Sequence, residues 1–145
     1  MQNFVFISPN YPESYWMFVR GLKKHGARVL CVIDCPYESL HPELQNNMDE
    51  CYRVSSFHNY DEVFRAVAYF SWKYGKIDWI ESNNEAWLGL DARLRDDFNI
   101  KTGFSSPSFS TVGVLTMVTH RTSLVRNCMV MTTQIILQTI PSSMK

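Results

Sequence analysis

The sequence predicts an α/β fold: a Rossmann-like three-layer domain with a parallel sheet of four or five strands, followed by an atypical Ser/Thr-rich tail. Three observations predict it. Short, continuous apolar runs recur along the first hundred residues. Each major run is followed by a stretch of helical periodicity, and alternating strands and helices build parallel sheets with right-handed crossovers. Beyond Phe98 the acidic residues and the helix caps both stop.

Phe4-Val5-Phe6-Ile7 is apolar on both faces, as a strand covered on both sides must be. Asn10-Tyr11-Pro12-Glu13 follows, and predicts a helix start with Asn10 as N-cap and Pro in the first turn. Tyr15, Val19 and Leu22 form one apolar stripe. Lys23 and Lys24 suit a helix C-terminus, and Gly26 ends it. Ala27 to Ile33 is the second strand, broken by Asp34-Cys35-Pro36. Residues 37–48 read as a loop with a short helix interrupted at Pro42. Cys51 to Ser55 alternates and predicts a shorter, more exposed third strand. Asn59 to Glu62 repeats the cap-plus-Glu pattern, and Val63, Val67, Phe70 and Tyr74 share one helix face until Gly75. Ile77 to Ile80 is the fourth strand. Ser82 to Glu85 is a third cap pattern, leading into a helix with Trp87, Leu90, Leu94 and Phe98 on one side.

Residues 101–145 differ. They hold 8 Thr and 7 Ser and show no helical stripe. Val112 to Leu115 and Ile135 to Leu137 are strand candidates. The formal net charge is zero, but it is unevenly spread. Residues 1–97 hold 10 Lys and Arg against 14 Asp and Glu, and residues 98–145 hold four basic residues and no acid. The expected boundary follows, with one domain over 1–104 and a divergent tail over 105–145.

The composition excludes several function classes. Zero net charge gives no electrostatic reason for a nucleic-acid partner. No apolar run approaches the roughly 20 residues that span a bilayer, and no basic stretch marks a signal peptide. The expectation is a cytoplasmic protein with no membrane association. Cys31, Cys35, Cys51 and Cys128 are then expected to be reduced thiols. Cys31 and Cys35 lack a second Cys or His pair at zinc spacing. His25, His41, His58 and His120 are scattered and neighbour no nucleophile motif such as G-x-S-x-G. No glycine occurs before Gly21, so the G-x-G-x-x-G dinucleotide turn is absent, and the P-loop pattern is absent too.

Ligands of open parallel sheets bind beyond the carboxyl ends of the strands. That rule selects Ser8-Pro9-Asn10, Asp34-Cys35-Pro36-Tyr37 and Glu81-Ser82-Asn83-Asn84-Glu85. The last of these places two carboxylates and two carboxamides between a buried strand and a helix. Ser82 with Glu85 reads first as a capping box and second as part of a ligand contact, and the two readings are compatible. Asp34 stands where a dinucleotide fold holds a ribose-binding acid, and reads more simply as a turn residue.

Three segments carry a family resemblance: Asn3 to Pro12, Lys76 to Glu85 and Leu90 to Arg95. Residues 2–104 resemble the N-terminal, pre-ATP-grasp domain of bacterial ATP-grasp ligases, the carbamoyl-phosphate-synthase-like enzymes. The resemblance implies a Rossmann-like domain on the acceptor-substrate side of the cleft. It implies acyl-phosphate chemistry, with ATP and Mg²⁺ held by two later domains. It maps a small carboxylate substrate to Ser8, Pro9, Asn10, Glu81, Ser82, Asn83, Asn84 and Glu85, and gives this chain no catalytic, cofactor-binding or metal-binding residue. The expected partner is an ATP-grasp domain in cis or in trans. Two other readings stay open: a docking subunit for a separately encoded ATP-grasp protein, and a small-molecule binding module of flavodoxin-like shape. After Phe104 the family continues into a Lys/Glu-rich helix, whereas this sequence does not. The expectation there is a reading-frame change, a truncation or a replacement.

Overall fold

A strand flanked by helices on both faces must be apolar on both, and the first two runs meet that requirement. The computed structural model describes residues 1–103. The expectations for residues 105–145, with their two strand candidates, lie outside the described residues. Strand β1 (Asn3–Ile7) and all but the first residue of β2 (Arg28–Ile33) are buried along their length. Strand β3 (Glu50–Arg53) is half-exposed, as its alternation predicts, and β4 (Trp79–Glu81) has only three residues. All pairings are parallel, in the order β3-β2-β1-β4. Phe6 stands opposite both Cys31 on β2 and Glu81 on β4.

The helices are α1 (Trp16–Lys24), α2 (Pro42–Asn47), α3 (Tyr60–Tyr74) and α4 (Leu88–Asp97). Alternate strand residues divide the core into two layers. Phe4, Phe6, Val29, Cys31 and Ile33 pack with Val19 of α1 and Leu44 of α2. Val5, Ile7, Leu30, Val32 and Ile80 pack with Val63, Val67 and Phe70 of α3 and Leu94 of α4. The chain moves outward from β1 to β3 and then crosses back to β4. Crossovers of one hand running in opposite directions place their helices on opposite faces. This is a Rossmann-like α/β/α sandwich, with a sheet of four strands among the described residues.

The cap readings were less accurate than the elements. Asn10 caps nothing; α1 begins at Trp16 after a 3-10 turn over Glu13–Tyr15, and neither start has a side-chain cap bond. Pro42 starts α2 instead of interrupting it, and His41 is its N-cap, accepting the Glu43 N–H through Nδ1. Pro fits there because its missing N–H is one that a helix start leaves unpaired anyway. Asn59 is the N-cap residue of α3, yet its amide donates to Glu62 and not to the backbone. Glu62 in turn accepts from the backbone and hydroxyl of Ser55. The C-terminus of α1 is as predicted: Gly26 takes φ +81°, with Gly26 N–H bonded to Lys23 and Ala27 N–H to Leu22, a Schellman closure.

The end of α3 is held to the edge of the sheet by Glu50. Tyr69 Oη, Tyr74 Oη and Lys73 Nζ all donate to its carboxylate. Burial would raise this carboxyl, but the bonds from Tyr74, Lys73 and Tyr69 prevail and lower it.

Phe70 is fully buried between α3 and the sheet, whereas Trp72, two residues on, is 82% exposed. Phe70→Ala should cost about 3–5 kcal/mol and Trp72→Ala within about 0.5 kcal/mol. Urea unfolding of the two variants measures the contrast.

Candidate functional site

The strand order reverses between β1 and β4, so a crevice opens there beyond the carboxyl ends of the strands. The loop after β1 starts at Ser8 and the loop after β4 at Ser82. Two sequence-selected segments therefore lie side by side at the switch point. Tyr15 Oη spans them, donating to the Asn83 carbonyl at 2.6 Å. Asn10 Nδ2 reaches Asp34 Oδ1 at 3.4 Å, which joins the β1 and β2 tips. Asn10 Oδ1 is buried and has no hydrogen-bond partner among the described residues.

Ser8 and Asn83 both adopt φ +55°, one on each side of the crevice. That left-handed region disfavours residues with a Cβ and is reached most easily by Asn among them. Each turn is held by bonds around it. Ser8 N–H bonds to Val32 O at 3.0 Å, and the Asn83 carbonyl is taken by Tyr15.

The eight sequence-selected residues divide by exposure. Ser8, Pro9 and Ser82 are buried. Glu81 is half-buried and ion-paired to Arg95 at 2.8 Å. Asn10, Asn83 and Asn84 are half-buried at the crevice and Glu85 is exposed. The expected Ser82–Glu85 capping box is not formed. Asn84 is the N-cap of the 3-10 turn Glu85–Trp87 and accepts from Ala86 N–H at 3.0 Å.

Ser82 turns inward. Its N–H and hydroxyl both donate to Asp91 Oδ2, at 3.0 and 2.6 Å. Asp91 is wholly buried, and its Oδ1 has no hydrogen-bond partner among the described residues. One turn on, Arg95 is 3% exposed and donates through Nε and Nη2 to the Ile80 carbonyl at 2.9 and 2.6 Å. Gly103, at φ +82°, packs so tightly that a Cβ there would stand 2.7 Å from the Arg95 guanidinium carbon.

Burial raises the Glu81 carboxyl, against the Arg95 charge and the backbone N–H groups of Asn83 and Ser82. Burial, and then the neighbouring Glu81 charge, push Asp91 up to about 7, although the Ser82 hydroxyl and Arg95 oppose them.

Tyr15, Asp91 and Arg95 were not selected from the sequence as site residues. One sign of the last two was available: Asp91 and Arg95 are four apart, each next to a stripe residue, Leu90 and Leu94. A charged pair at that spacing on the inner side of a helix implies buried ionic partners.

Among the described residues no cluster of three His, Cys, Asp or Glu side chains could hold a metal ion. Glu81 and Asp91 are committed to Arg95 and Ser82. A cavity of about 360 Å³ lies where α4 ends, lined by Arg95, Asn99 and Lys101 among others.

Fold and crevice define a Rossmann-like domain with a polar switch-point cleft. No protein-family profile and no curated protein matches the chain. Among solved structures it is similar to the crystal structure of an L-amino acid ligase from Bacillus licheniformis, with a TM-score of 0.58 and 14% identity. The match covers 73% of this chain and 25% of that one, so the chain spans at most about a quarter of that structure. The likeness is one of fold.

Asp91 sets a pH dependence. An unfolded Asp titrates near 3.9, so between about pH 4 and 7 the folded domain keeps a proton that the unfolded chain releases. Stability must therefore fall as pH rises through that range, by the order of 4 kcal/mol for this group. Glu50, lowered in the fold, acts the other way and only below about pH 4.5. Urea midpoints should be higher at pH 5.5 than at pH 8, and Asp91→Asn should flatten the difference.

Proposed function

We propose that residues 1–104 are the substrate-side N-terminal domain of an ATP-grasp carboxylate–amine ligase. ATP and Mg²⁺ belong to domains supplied in cis or in trans, and this chain is inactive alone. The observation that carries the reading is the convergence of the β1 and β4 loops at the switch point. The sequence resemblance in the same two loops supports it, as does a fold shared with part of an L-amino acid ligase.

The chemistry suits that division. Ligases of this class phosphorylate a carboxylate, and an amine then displaces phosphate from the acyl phosphate. Metal ions offset the charge on the transferring phosphoryl group. What remains for an acceptor-side domain is to bind and orient a small polar molecule. The carboxamides of Asn10, Asn83 and Asn84 both donate and accept, so they suit a ligand carrying a carboxylate and an amine.

Isothermal titration of Mg-ATP into the chain alone should give no binding heat; a micromolar Kd would overturn the reading. L-amino acids at millimolar concentration should raise the melting temperature of the wild type. The Asn83→Ala/Asn84→Ala variant should lose that shift. No shift with any proteinogenic amino acid would count against an acceptor-side role.

A further inference from the structure

The Ser82 hydroxyl has one hydrogen and two acceptors within reach. Asp91 Oδ2 is at 2.6 Å and the Asn84 carbonyl at 3.3 Å. The same hydroxyl oxygen accepts the Asn84 N–H at 3.2 Å. Ser82 thus stands between a buried acid and a residue on the crevice. Asp91 Oδ1 is buried without a hydrogen-bond partner among the described residues, an arrangement that burdens the ionised form far more than the neutral one.

We infer that Asp91 is a positioning residue for the crevice, and that its proton sets which acceptor the Ser82 hydroxyl serves. When Asp91 is ionised, Oδ2 takes the hydroxyl hydrogen and the Asn84 carbonyl keeps the Trp87 N–H, at 3.0 Å, as its one donor among the described residues. When Asp91 takes a proton from water on Oδ2, it donates to Ser82 Oγ. The hydroxyl hydrogen then turns to the Asn84 carbonyl as a second donor beside Trp87 N–H. No heavy-atom bond changes; one proton enters and one hydroxyl rotates.

The groups that act on Asp91 are Glu81 from β4, which favours the proton, and Arg95 from α4, which opposes it. The 3-10 turn brings Glu85, which is exposed. β1 and α3 face this layer with Val5, Ile7, Val63, Val67 and Phe70, all uncharged. Burial and then the Glu81 charge push the Asp91 carboxyl up to about 7.

This inference deepens the acceptor-side reading, since a carbonyl has two lone pairs and the one not held by Trp87 N–H is an acceptor for a ligand amine. Its test needs no ligand and is decided separately from the Mg-ATP titration. NMR of the full chain between pH 5 and 9 should show the Asp91 carboxyl carbon and the Ser82 and Asn84 amides titrating with one shared midpoint near 7. In Ser82→Ala the carboxyl should still titrate while Asn84 stops following. Ser82→Thr, which keeps the hydroxyl, should restore the coupling. Glu81→Gln should move both midpoints together to lower pH. An Asp91 midpoint below 5, or an Asn84 shift that persists in Ser82→Ala, would overturn the proposal. So would a Glu81→Gln shift of one midpoint without the other.

Discussion

A guanidinium buried against the Ile80 carbonyl and the Glu81 carboxylate fixes the geometry of the β4 side of the domain. Arg95 sends Nε and Nη2 to Ile80 O and Nη2 also to Glu81. A buried cation must be matched by acceptors, since desolvation costs several kcal/mol per ion and only good geometry offsets it. The carbonyl and the carboxylate together meet that need. In doing so they set how α4 lies on the sheet. Asp91, one turn earlier, is thereby brought under Ser82, and the loop that leaves β4 is pinned from below.

The crevice depends on that pin and on a second one from the opposite side. Tyr15 holds the Asn83 carbonyl, while Asp91 holds Ser82. Asn83 sits between them at φ +55°. A left-handed residue with a Cβ persists where its surroundings over-determine it. Here the restraints come from two layers of the sandwich, from the approach to α1 on one face and from α4 on the other. Buried, matched groups hold the loop, and half-buried carboxamides are what it offers.

The fold was legible because burial on both faces leaves a plain mark. Phe4 to Ile7 and Ala27 to Ile33 read as buried strands, and β1 and β2 are the two inner strands among the described residues. Val63, Val67 and Phe70 read as one face and form one. Tertiary context governed the helix starts. Asn10 and Ser82 have the residue type of a cap, yet Asn10 reaches toward Asp34 and Ser82 turns to Asp91. Pro42 was read as a break because Pro stops a helix from within but starts one at its first turn. The position of the β1 and β4 loops followed from strand order, which sequence periodicity does not contain. Asp91 and Arg95 were invisible to a search for apolar stripes, since their burial is decided by partners 9 and 15 residues earlier.

An apolar pair at positions 91 and 95 would fill the same space without the cost of burying charge. It would also leave the Ser82 N–H without its acceptor and remove both Arg95 donors from the Ile80 carbonyl. The reason lies in the length of β4. Three residues of β4 lie beside five of β1, and the Ile80 carbonyl and the Ser82 N–H find partners other than a sheet neighbour. Side chains from α4 supply them. Once an acid and a base are there for that purpose, Glu81 completes a cluster of two acids and one base, and like charges that close cannot both ionise freely. A neutralisable acid beneath the crevice is therefore a consequence of ending β4 where the Ser82 loop has to begin.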